Sequence, residues 1–145
     1  CRETRMVFEK SSEVAQALKA VTYLKTDAAE AEILTGKTDL AEAAVEMASM
    51  GPEEVVISHN SGLVLFFEGK IHKAPLTPRK LDGRTGRGDT LFCSYLARRT
   101  KGDAPFRALH FAAALVSLKL ETPGPFRGTM EDVLDKMKTF DLDEA

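Results

Sequence analysis

Asp82-Gly83-Arg84-Thr85-Gly86-Arg87-Gly88-Asp89-Thr90 is the stretch on which the reading of this chain turns. It closes a segment, from Pro75 to Gly88, rich in Pro, Gly, Thr and Arg, and runs into helical spacing at Leu91, Phe92, Tyr95 and Leu96. Glycines at a loop-to-helix junction let backbone N–H groups turn toward one point, and a helix N-terminus adds positive partial charge there. That is a site for an anion. Asp89, in the first turn of the same helix, would stand beside the anion, oriented by the helix. A carboxylate so placed can take a proton from a hydroxyl attacking phosphorus, while the amides of Gly86 to Asp89 meet the charge on the transferred group. The plain alternative is a tight Gly-x-Gly connection with no ligand. No Gly-Lys-Ser/Thr follows, so this is not a Walker A loop. Arg87-Gly88-Asp89 also spells an adhesion tripeptide, which a chain of cytoplasmic character does not support.

Outward from this loop, strands and helices alternate. Arg5 to Glu9 is strand-like, and Ser11-Ser12-Glu13 opens a short helix. Val21 to Leu24 predicts a strand ending at Lys25-Thr26, after which Asp27 caps a helix stopped at Thr35-Gly36. Asp39 caps the next helix, with Leu40, Ala43, Ala44, Met47 and Ala48 on one face. Val55-Val56-Ile57 predicts a strand buried on both sides. Leu63 to Phe67 and Ile71 to Ala74, joined at Glu68-Gly69-Lys70, form a hairpin. Ala104-Pro105 starts a long helix that stops at Thr122-Pro123-Gly124, and a last helix fits Thr129 to Met137. The alternation predicts one α/β unit with a largely parallel sheet and a hairpin added on one side.

The 145 residues carry 20 Lys+Arg against 22 Asp+Glu, a balance that argues against bulk nucleic-acid binding. The longest apolar run, Phe111 to Val116, is far short of the roughly 20 residues that span a bilayer. Cys1 and Cys93 form no Cys-x-x-Cys pair, so a disulfide framework and a zinc finger are set aside and a reducing cytoplasm is expected. Cys93 is expected to be buried as a small apolar residue. His59, His72 and His110 are scattered and do not form a metal cluster. Arg79, Lys80, Arg84 and Arg87 make a basic loop without the interleaved aromatics of a nucleic-acid surface. A chain that starts at Cys1 and opens directly into a strand predicts the middle of a larger protein.

Four ordered segments carry a family resemblance. Thr85-Gly86-Arg87-Gly88-Asp89-Thr90, with Phe92 and Tyr95-Leu96-Ala97, resembles the C-terminal signature of the ribokinase-like, or PfkB, carbohydrate kinases. Asp27 to Gly36 resembles the family's Asn-x-x-Glu segment and the Leu-Thr-Gly after it. Val56 to Gly62 resembles the strand and turn that approach the nucleotide phosphates, and His110 to Gly124 the Ala-rich helix and loop beside the adenine. Residues 1–145 align with the C-terminal, nucleotide-binding and catalytic portion of such a kinase, a ribokinase-like αβα sandwich.

The resemblance implies ATP-dependent phosphotransfer to a hydroxyl of a sugar, nucleoside or related small molecule. Asp89 would be the catalytic base, and Thr85, Gly86, Arg87 and Gly88 the phosphate-binding anion hole. Ser58, Asn60, Gly62, Ala113 and Gly124 would serve the nucleotide. Glu30 would hold Mg²⁺ through water, with Asp27 a second candidate for the metal and, on its own chemistry, a helix cap. Asp27 stands where the family has Asn. Arg87 replaces a small residue between the glycines and could pair with phosphate or point to solvent. An extra residue between Asp82 and Thr85, with Gly83 in place of a hydroxyl residue, weighs against a monovalent-cation site near Asp82. The family's sugar-binding N-terminal portion and β-sheet lid have no counterpart in these residues, so the isolated chain is expected to turn over weakly or not at all. The alternative in a different class is a degenerate kinase module that binds nucleotide or phosphate without chemistry. An open sheet edge would also allow a homo-oligomer.

Overall fold

The computed structural model describes residues 12–140. The strand-like run at Arg5 to Glu9 and the cap at Ser11 lie outside the described residues.

Local chemistry sets the elements. Helix α1 (Ser12–Lys19) leads to strand β1 (Tyr23–Asp27). Asp27 ends β1 and caps α2 (Ala28–Thr35) in a reciprocal box: Asp27 Oδ1 accepts from the Glu30 amide, and Glu30 Oε2 accepts from the Asp27 amide, both at 2.8 Å. Asp39 caps α3 (Leu40–Ser49) in the simpler way. Strand β2 (Glu54–Ser58) is buried along its whole length, as its continuous apolar run predicts, and β3 (Gly62–Phe67) and β4 (Lys70–Pro75) form the hairpin. Helices α4 (Arg87–Thr100), α5 (Pro105–Leu120) and α6 (Met130–Met137) follow, α5 with proline in its first turn and α6 with a Thr129–Asp132 capping box.

The sheet order is β1-β2-β3-β4, with β1 and β2 parallel and the other two pairings antiparallel. Among the described residues the parallel share rests on β1–β2 alone. The short connections after β2 and β3 allow only antiparallel neighbours, whereas the passage from β1 to β2 has two helices in which to cross over. Strand β1 lies two residues later than its composition suggests because pairing with β2, from Tyr23 opposite Glu54 to Asp27 opposite Ser58, decides its span.

Alternation along the strands sorts two cores. Val55, Ile57 and Val64 face α2 and α3, packing on Ala31, Ala43, Ala44 and Met47. Val56, Leu63 and Leu65 face the other way, onto Leu91 and Tyr95 of α4, the alanines of α5, and Val133 of α6. Helices therefore cover both faces of the sheet, the αβα sandwich expected from the sequence. Cys93 is exposed, contrary to the expectation of burial. The buried stripe of α4 runs through Leu91, Ser94 and Tyr95, and position 93 points away from it.

Candidate active site

The loop before α4 delivers its glycines to the ends of the two parallel strands. Gly86 has φ +77, in the left-handed region where a side chain costs about 1–2 kcal/mol, so the chain turns there without strain only because it is glycine. No side chain caps α4, whose first turn holds Arg87, Gly88 and Asp89. The Arg87 amide donates to the Arg84 carbonyl at 3.4 Å, and the further amides of a helix start that no side chain caps are the physical basis of an anion site.

A cleft of about 380 Å³ opens here, lined by Lys25 and Asp27 of β1, Ser58 and Asn60 at the end of β2, and Arg84, Gly86, Arg87, Gly88 and Asp89. It sits where open α/β sheets bind ligands, beyond the carboxyl ends of parallel strands. Three cations and two carboxylates share it. Arg87 reaches across to donate from Nη1 to Asn60 Oδ1 at 3.3 Å. The Lys25 ammonium lies so close to Gly88 that a Cβ added to that glycine would meet Nζ at 3.0 Å. The Ser58 hydroxyl donates to the Thr26 carbonyl at 3.4 Å. A larger hollow of about 840 Å³, between α2, α3 and the hairpin, is lined mainly by small and apolar groups such as Ala28, Leu40 and Leu63 and lacks this convergence of charge.

The loop is anchored from beneath. The amides of Asp82 and Gly83 both donate to the Leu120 carbonyl at 2.9 Å. A Cβ on Gly83 would lie 1.9 Å from the Thr122 carbonyl oxygen, closer than atoms can approach, so glycine is the residue that fits against the end of α5. Gly83→Ala is expected to lower stability by about 1–3 kcal/mol, read by denaturant unfolding, and to weaken anion binding with it.

Asp89, Gly86, Arg87, Gly88, Ser58, Asn60 and Asp27 thus meet in one cleft. The remaining candidates lie elsewhere. Thr85 turns its carbonyl into the protein toward Lys119. Glu30 commits one carboxylate oxygen to the capping box and does not line the cleft. Gly62 packs against the Ala74 carbonyl, and Gly124 occupies an exposed turn after α5. Ala113 is 0% exposed and lies in the larger core cluster with the other alanines of α5. Two lysines escaped the sequence reading. Lys25 precedes Asp27 by two residues and so shares its strand face, a signal that period-two spacing contains. Lys119, in the last turn of α5, had no such signal.

Magnesium can be tested against these groups. Asp27 and Glu30 each spend one carboxylate oxygen on the α2 cap. No group of three or more His, Cys, Asp or Glu side chains is placed to hold a metal among the described residues. The donor set would suit a Mg²⁺ held through water by the free oxygens of Asp27 and Glu30, and not a protein-only cage. No helix among the described residues is long and apolar enough to cross a membrane.

An αβα sandwich with a helix start that no side chain caps, set at its parallel strand ends, defines an α/β domain built to receive an anionic ligand. The chain belongs to the pfkB family of carbohydrate kinases, whose family model matches residues 4–131. Among solved structures, a pyrophosphate-dependent myo-inositol-1 kinase converted by mutation into a myo-inositol-3 kinase matches at 34% identity and TM-score 0.77, over 88% of this chain and 45% of that one. A pyrophosphate-dependent kinase in the ribokinase family, complexed with a pyrophosphate analog and myo-inositol, matches at 37% identity and TM-score 0.75, over 83% and 43%. The Arabidopsis thaliana ribokinase complexed with ribose and ATP matches at 25% identity and TM-score 0.76, over 86% and 43%. The chain spans less than half the length of each of these structures. No curated protein matches at a significant level.

Proposed function

We propose that this chain carries the phosphoryl-transfer site of a kinase acting on a hydroxyl of a sugar, polyol or nucleoside. The observation that carries the reading is the uncapped first turn of α4, with Asp89 in it, opening on a cleft that also holds Lys25, Arg84 and Arg87. Asp89 takes the proton as the acceptor oxygen bonds to the terminal phosphorus of Mg·ATP. The bridging oxygen of ADP leaves with the electron pair of the broken P–O bond. The amides of Gly86 to Asp89 receive the phosphoryl oxygens, and Asn60 and Ser58 border the donor on the strand side. Magnesium, held through water by Glu30 and Asp27, supplies charge neutralisation at the phosphates when bound.

A second donor, inorganic pyrophosphate, is favoured by a specific observation. A donor without base or ribose must be held by charge alone, and three cations line this small cleft, Arg87 among them where the family signature has a small residue. The pyrophosphate-dependent relatives at 34% and 37% identity support the same choice.

The test is product formation by the full-length protein, with ATP or pyrophosphate as donor and a panel of sugars, inositols and nucleosides as acceptors. Phosphorylated product with one donor supports the reading and names that donor. Arg87→Ala is expected to lower kcat/KM by about 10- to 100-fold with pyrophosphate, the scale of one hydrogen-bonded charge contact, and by less with Mg·ATP. Donor binding with no product across the panel would favour the non-catalytic module.

A further inference from the structure

Lys119 is 2% exposed, yet it carries an ammonium group. Its Nζ donates to the carbonyls of Gly83 and Thr85, each at 2.5 Å. Both acceptors belong to the anion loop, and the donor belongs to the last turn of α5, whose carbonyl end favours a cation. Among the described residues no carboxylate pairs with it: Asp82 is bound to Lys80 at 2.7 Å, and Glu121 accepts from the Arg79 amide at 2.9 Å. A buried positive charge held by backbone carbonyls, with no counter-charge, is the donor set of a desolvated monovalent cation. The cation here is covalently attached.

The bonds of Lys119 also have a consequence for backbone direction. A carbonyl drawn inward at Thr85 turns the N–H of the same planar peptide, that of Gly86, the opposite way. With the Asp82 and Gly83 amides tied to Leu120, the loop is pinned on both its donors and its acceptors before any ligand arrives.

We propose that Lys119 is the resident cation of the anion loop. It is a positioning residue that holds residues 83–86 so that the α4 amides face the cleft, and it makes the loop independent of a free monovalent ion. The inference rests on the phosphate-binding reading of that cleft for its consequence, but the clamp itself can be read without ligand.

The experiment measures amide hydrogen exchange at Asp82 and Gly83, and affinity for inorganic pyrophosphate by calorimetry, in wild type and Lys119→Met. In the wild type, both quantities are expected to be the same in potassium chloride and in tetramethylammonium chloride at equal ionic strength. Lys119→Met is expected to speed exchange at these two amides by about tenfold or more and to weaken pyrophosphate by a similar factor, the scale of a hydrogen bond to a charged group. Exchange in the α5 core should not change. Ammonium should restore both, because methionine stops one atom short of the lost amine and leaves room for a cation of that size.

Wild-type exchange that slows specifically in potassium would overturn the proposal, as would a folded Lys119→Met with wild-type exchange. Failure of ammonium to rescue would reduce Lys119 to packing and overturn it too. If Lys119→Met does not fold, the wild-type salt comparison decides. Exchange behaving as expected while pyrophosphate and Mg·ATP both fail to bind would sink the kinase reading and leave the clamp standing.

Discussion

Asp89→Asn in the full-length protein is expected to lower turnover by about 10²- to 10⁴-fold, the range that general-base help provides. Donor affinity should persist or rise, because the amides of Gly86 to Asp89 remain and one negative charge beside the phosphates is gone. The substitution keeps the shape of the side chain, and Asp89 is not the cap of α4, so the helix start should survive it. The split between turnover and binding is the informative part. A chain that loses both has lost its loop, and one that keeps both uses a different base. The measurement is product formation beside calorimetric titration with the donor.

Glu54→Ala should cause the largest loss of stability, about 3–5 kcal/mol, as expected when one partner is removed from a buried ion pair. Glu54 opens β2 and is 3% exposed. Its carboxylate receives Arg99 Nε at 3.0 Å and Nη2 at 2.5 Å, and also the Tyr95 hydroxyl. Burial, and then the adjacent carboxylate, push the Tyr95 hydroxyl far above its usual pKa, so it stays a neutral donor. The same carboxylate raises Arg99. Arg99 further donates to the Asp103 carbonyl at 2.6 Å and lies over the Phe67 ring at 5.7 Å. The cluster therefore fixes the far end of α4 to the sheet and to the start of α5. Because Asp89 rides at the near end of that helix, loosening Glu54 should also blur the position of the base. Denaturant unfolding of Glu54→Ala against wild type checks the magnitude, and a change below about 1 kcal/mol would show that the pair is worth no more than an exposed one.

The parts of this molecule that are local in sequence were legible in it. Asp27, Asp39 and Thr129 announce their helices because a cap acts within one turn, and Val55 to Ile57 announces a strand because both faces of that strand are apolar. The four segments in family order located the cleft, and Gly86 to Asp89 meet there with Ser58 and Asn60. What was not legible depends on contacts between distant residues. Lys119 finds Gly83 and Thr85 across more than thirty positions, and nothing in Ser117-Leu118-Lys119-Leu120 distinguishes an inward lysine from a solvated one. Ala113 stands in an Ala-rich helix, and its full burial in the core cluster shared by α4, α5 and α6 likewise depends on distant partners. Cys93 was misplaced because residue type was weighed above helical phase. Glu30 sits in its motif with a capping bond that explains it equally well, so the metal role proposed for it would fall to the second carboxylate oxygen.

The most direct measurement is a titration of this chain with inorganic pyrophosphate and with Mg·ATP, followed by backbone amide chemical shifts. The account predicts saturable shifts concentrated at Gly86, Arg87, Gly88 and Asp89 and at Asn60, with little change around Leu40 and Leu63 in the larger hollow. Shifts centred on that hollow, or no saturable response at the start of α4 with either donor, would contradict it.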